Sequence, residues 1–256
     1  MAIIALKAWY IQEYEPLEEL EKRPHDLRLS KNSLLKSALR ADFLEDREQV
    51  KQTQWFQRYL QGENVEFYIE GSGGYTIANI DLSSHEIYFT KQTIAALLEP
   101  TIFFCHQTEY APATEALREE LQNAIAALNK RSRIELSLIE SQRHSDSAIR
   151  LNSTAMRKIR KSLLFIADTT PITSIESQEK PQLIPSPNVC VEIGYALQSK
   201  RTEQIILAQM QRKDLSGQFP FDLPKYQFLQ FNNTKELGKI LPQVMETQLQ
   251  RFNLFV

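Results

Sequence analysis

Residues 100–256 predict an α/β fold built on a parallel sheet. Short apolar runs alternate there with helix-length segments, the order expected of strands joined by crossover helices. The central run, Leu163-Leu164-Phe165-Ile166-Ala167-Asp168, reads as a buried strand that stops on an acid. Two long connections, Thr169–Ser186 and Gln211–Pro224, follow later strands and carry prolines, as loops covering a site would.

Residues 1–99 read as a small α+β domain. Ile3–Gln12, Val65–Ile69, Tyr75–Asp81 and Glu86–Thr90 are expected strands, with a charged helical stretch over Lys31–Leu60. Gly71-Ser72-Gly73-Gly74 marks a hairpin turn. No Gly-Lys-Ser/Thr follows it and no helix opens behind it, which excludes a phosphate loop. The break falls near Glu99-Pro100. Beyond it, Thr101–His106 is a strand and Pro112–Asn129 a helix, with Pro112 early enough that its missing N–H is harmless. Ile134–Ile139 is the second strand. Ala148–Lys161 is a basic helix with Ile149, Met156 and Ile159 inward. After the third strand come the helix Val189–Ser199 and the strands Gln204–Gln209 and Tyr226–Phe231. Thr234–Arg251, containing Pro242, is the closing helix. Five strands in this rhythm suit a flavodoxin-like, doubly wound parallel sheet.

An apolar fraction of 42% with 24% charged residues supports a buried core, and 256 residues suit one large domain or two small ones. The net charge of −2 gives no bulk attraction for nucleic acid. The basic helix (Arg150, Arg157, Lys158, Arg160, Lys161) lacks interleaved aromatics and reads as a solvated face. Cys105 and Cys190 sit in apolar settings and read as buried free thiols. The opening segment is interrupted too soon by Lys7 for a signal peptide, and no apolar run reaches the ~20 residues of a membrane helix. A cytoplasmic protein is expected. No metal-ligand spacing, Gly-x-Ser-x-Gly elbow or Gly-x-Gly-x-x-Gly fingerprint is present.

In an open α/β sheet, ligands sit outside the carboxyl ends of the strands. Asp168, Asn188 and Glu192 would all reach that rim. A carboxylate beside a ribose can stabilise or trap the cation formed when a glycosidic bond breaks. Glu192 is expected in the first turn of its helix, where the dipole favours the ionised form. Plainer roles compete: Glu192 satisfying the helix end, Asp168 capping a loop, Asn188 as N-cap. His106 faces the same rim and could contact phosphate or base. Phe103 and Phe104 alternate faces, so only one, with Phe104 the candidate, could support an aromatic base. Tyr195 is a candidate contact or a core residue. Gly194 fits close helix–sheet packing. Arg143 and His144 could meet phosphates, though a solvated loop is the plainer reading.

Two stretches together, Ser162–Pro171 and Pro187-Asn188-Val189-Cys190-Val191-Glu192-Ile193-Gly194-Tyr195-Ala196, resemble the TIR-like (Toll/interleukin-1 receptor-like) branch of bacterial nucleotide-binding domains. They are also similar to nucleoside 2-deoxyribosyltransferases, which share the layout. The resemblance covers roughly residues 100–256. It implies that Glu192 serves N-glycosidic cleavage of NAD, which is a substrate and not a cofactor. It implies a regulated effector of antiviral defence that works as a homo-oligomer. Residues 1–99 would then meet an activating ligand or protein partner. In the transferases the matching glutamate attacks the sugar and an aspartate near Asp168 helps hold the base. Such a transferase or a nucleotide N-glycoside hydrolase is the alternative of the same chemistry, and a non-catalytic module that binds a nucleotide signal is the alternative from another class.

Overall fold

The computed structural model of the protein describes residues 5–34, 38–92, 95–143, 153–176, 180–219 and 228–255. Expectations resting on Ile3, His144, Ile149, Arg150 and Tyr226 lie outside the described residues. The chain divides into two compact units, Met1–Leu98 and Glu99–Val256.

The first unit runs β1 (Ala5–Ile11), α1 (Leu17–Leu20), β2 (Leu27–Leu34), β3 (Ala38–Phe43), α2 (Arg47–Gln52), α3 (Gln54–Leu60), β4 (Glu66–Ile69), β5 (Gly73–Asp81) and β6 (Glu86–Lys91). Its strands close into an antiparallel barrel in the order β1-β2-β3-β6-β5-β4. The expected helical stretch Lys31–Leu60 is therefore corrected: its first part is strand, and only α2 and α3 are helical. The reason is a period of two. Leu27 and Leu29, then Leu39, Ala41 and Phe43, point into the barrel, while Arg28 and Arg40 point out to Glu45 and Glu86. Trp55 and Phe56 of α3 join the same core. The β4–β5 turn is the expected glycine hairpin, with Gly71 and Gly73 at φ +67° and +110°.

The second unit runs β7 (Glu99–Cys105), α4 (Ala111–Asn129), β8 (Ser137–Glu140), α5 (Ser153–Lys161), β9 (Ser162–Asp168), β10 (Thr173–Ile175), β11 (Gln182–Ile184), α6 (Pro187–Ser199), β12 (Ile205–Met210), β13 (Phe228–Phe231) and α7 (Thr234–Leu249). Five strands form a parallel sheet in the order β13-β12-β9-β7-β8. Every residue of β9, the middle strand, is buried. Phe103, Cys105, Phe165, Ala167, Ile205 and Leu207 line one face, covered by Ile159 of α5 and by Val189, Ile193 and Ala196 of α6. α4 packs against α7, and its Arg118 grips Glu140 on the other face. Met156 and Ile159 point inward as expected, and Arg157 and Arg160 are exposed.

The connection expected to be a bare loop between β9 and α6 carries the antiparallel hairpin β10–β11 instead. The segment after β12 zips onto it: Leu183 N–H donates to Gln218 O (2.9 Å) and Gln218 N–H to Pro181 O (2.8 Å). At the chain's end, Phe252 and Leu254 are buried. Arg133 N–H donates to Leu254 O within the same unit. No described helix is long and apolar enough to cross a membrane.

Candidate active site

β7 and β9 lie side by side, yet the helices that follow them cover opposite faces of the sheet. In α/β proteins such a reversal marks the place, at the carboxyl ends of the strands, where ligands bind. Cys105, His106, Glu109, Arg143, Asp168 and Glu192 gather around these ends.

α6 begins at Pro187, with Ser186 as its N-cap residue. Asn188 is therefore inside the helix and is not the N-cap. Glu192 lies beyond the first turn, so the helix dipole does not compensate its charge. Arg143 does so instead. Its Nη1 donates to Glu192 Oε1 at 2.5 Å, and the two side chains are only 5% and 7% exposed. The same guanidinium donates from Nε to the His106 carbonyl (2.8 Å) and from Nη2 to Cys105 Sγ (3.6 Å). Burial works against the cation, but the bond to Glu192 and its charge hold Arg143 above the usual arginine range. The second carboxylate oxygen, Glu192 Oε2, is buried with no hydrogen-bond partner among the described residues. Burial, then the charge of Glu192, push the Cys105 thiol far up, so it stays protonated and is no nucleophile.

His106 is buried with its ring on the α4 side. Nδ1 meets Ser141 Oγ at 3.2 Å and Glu140 Oε2 at 3.6 Å. Burial and then the Arg143 charge lower its pKa, keeping the ring neutral near pH 7. Its backbone carbonyl, which takes Arg143, ties it more directly to Glu192 than its ring does. Phe104 is fully buried beside that ring, with centroids 5.8 Å apart. It faces away from the α6 side, because Phe103 and Cys105 occupy that face. Tyr195 is half-buried against the α6 core.

Asp168 is fully buried and already engaged. Thr114 Oγ1 donates to Oδ2 (2.8 Å) and Thr170 N–H to Oδ1 (3.0 Å). Burial raises its pKa against the pull of those donors. The carboxylate pins the end of β9 to α4, the loop-capping role. Gly194 is exposed, and a Cβ there would meet nothing within 4 Å, so it does not serve close helix–sheet packing.

Two residues at this rim, Glu109 and Arg212, were not singled out by sequence, and a third, Arg143, was named only as a possible phosphate contact. Arg143 looked like a solvated loop residue and is the centre of the network. Glu109 accepts from Thr108 N–H (2.9 Å) and from Ser186 Oγ (2.8 Å), tying the loop after β7 to the start of α6. Burial opposes its charge, but these donors hold its carboxyl below the ordinary value. Arg212 stacks over the Tyr110 ring at 4.4 Å and donates to the Pro171 carbonyl, joining the loops after β7, β9 and β12. Sequence carried no local signal for these contacts.

Among the described residues no group of three or more His, Cys, Asp or Glu side chains could hold a metal ion. Comparison of the chain with protein-family models, with curated proteins and with solved structures finds no match.

Proposed function

We propose that the unit Glu99–Val256 is a flavodoxin-like, doubly wound N-glycoside hydrolase that cleaves the nicotinamide–ribose bond of NAD. The observation that carries the reading is Glu192, a buried carboxylate with one oxygen held by Arg143 and the other without a partner among the described residues, beside the crossover reversal of a parallel sheet. Nicotinamide leaves with the electron pair of the C–N bond and needs no protonation, because the ring is already cationic in NAD. The oxocarbenium-like centre left on the ribose is stabilised or trapped by Glu192, and water completes the hydrolysis. Self-association and regulation through residues 1–98 belong to the same proposal, as does a role in antiviral defence.

The test is nicotinamide release from NAD by purified protein at low and high concentration. Wild type releases nicotinamide at a rate that climbs faster than linearly with protein. Glu192→Gln, which keeps an acceptor for Arg143, loses about 10²-fold or more while retaining its melting temperature and nucleotide binding. Equal activity in the two proteins would sink the assignment. The closed Arg143–Glu192 pair favours a second reading, a module that binds a nucleotide signal without cleaving it. That reading predicts nucleotide-induced thermal shifts and no product from either protein. Base exchange between deoxyribonucleosides would instead point to a transferase.

A further inference from the structure

We propose that Arg143 is the positioning residue for Glu192, fixing the carboxylate plane so that Oε2 is the oxygen presented to the sugar. The inference rests on the reading of Glu192 as the group that meets the anomeric carbon. A glutamate side chain has several freely rotating bonds, and a carboxylate free to turn would offer either oxygen at varying angles. Here Oε1 is taken by Nη1, while Nε is fastened to the His106 carbonyl at the end of β7 and Nη2 rests on Cys105 Sγ. One planar guanidinium thus spans strand and helix. It references the carboxylate to the sheet edge and not to α6 alone. The three contacts diverge from a rigid fork, and a lysine ammonium, a single point on a flexible stem, cannot make them together. Oε2 is buried and has no hydrogen-bond partner among the described residues. A buried acceptor left unpaired is costly, and a site that meets an electron-poor carbon with that oxygen gives the arrangement a use.

The experiment measures kcat and KM for nicotinamide release from NAD by the full chain. Wild type is compared with Arg143→Gln, Arg143→Lys and Arg143→Ala, each rate being normalised to the folded fraction. Arg143→Ala is repeated with added guanidinium ion at a non-denaturing concentration. Loss of orientation predicts a fall in kcat of about 10²-fold with KM changed by less than about 3-fold. Arg143→Lys stays impaired, and guanidinium restores part of kcat in Arg143→Ala but none in Arg143→Lys. Arg143→Gln keeps one donor and an uncharged side chain, so it tests the role if the alanine variant does not fold. Folded variants with wild-type kcat, or with a raised KM alone, overturn the positioning role and leave the hydrolase reading intact. Wild type silent toward NAD and toward a nucleoside panel overturns both.

Discussion

Glu192 sits deeper in α6 than its sequence suggests, and its surroundings follow from that register. The helix dipole fades within the first turn, so compensation has to come from a side chain, and Arg143 delivers it from 49 residues away. The Glu192 position was legible as an acid in an apolar helix start, with satisfying the helix end as its plainer role. Arg143 was not, since Ser141-Gln142-Arg143 has no periodicity and only the parallel pairing of β7 with β8 brings it to Cys105 and His106. Asp168 was legible as a strand-ending acid, but its role is decided by Thr114 on α4, which no local pattern couples to it. Gly194 shows the opposite error, a residue given a packing role that nothing packs against. At an exposed helical position glycine costs about 1 kcal/mol relative to alanine. Gly194→Ala should therefore raise stability by about 0.5–1 kcal/mol in equilibrium urea unfolding. A loss of stability would mean that this face of α6 is covered by something beyond the described residues.

At the scale of elements, the parallel sheet could be read because each strand is a short apolar run set between helix-length segments. The barrel could not. β2 and β3 carry arginine and aspartate on their outer faces, which mimics the composition of a solvated helix, and closure depends on the distant pairings β1–β4 and β3–β6. The hairpin β10–β11 was likewise hidden in a proline-bearing stretch, because its second support comes from Gln218 in another loop. Gly217 makes that support possible. A Cβ at this position would lie 2.4 Å from the Pro181 carbonyl oxygen and 3.3 Å from Leu183 Cγ. The carbonyl belongs to the backbone and cannot simply rotate away. Gly217→Ala should therefore part the two loops at a cost of about 1–3 kcal/mol. Hydrogen exchange should show it as faster exchange at the Leu183 and Gln218 amides, with β9 and β12 unchanged. Protection at those two amides equal to wild type would refute the close-approach argument.

Across the whole molecule, 30 basic and 32 acidic side chains nearly cancel, so bulk charge repulsion is a small part of the response to pH near neutrality. A few buried groups in the unit Glu99–Val256 dominate instead. Lys200, at the end of α6, turns its ammonium inward to the Ser162 carbonyl, and desolvation lowers its pKa to about 7. In the unfolded chain the same group titrates near the ordinary lysine value of 10.5. Between about 7 and 10.5 the unfolded state holds a proton that the folded state lacks, so stability rises with pH through this window. Below about 7 the amine is charged in both states and the burial penalty is constant. His106 acts with the same sign lower down: its folded pKa is depressed, so stability falls as pH drops through the unfolded value of 6.5. Lys200→Met keeps the apolar stem and removes the charge. It should be more stable than wild type at pH 7, by at most about 5 kcal/mol, with the advantage shrinking steadily toward pH 10. Urea midpoints for the two proteins at intervals from pH 6 to 10 give that difference directly, and other titrating groups cancel in it. A gap that stays flat across the range would show that the Lys200 ammonium keeps its ordinary pKa in the folded protein, held by water or by a countercharge.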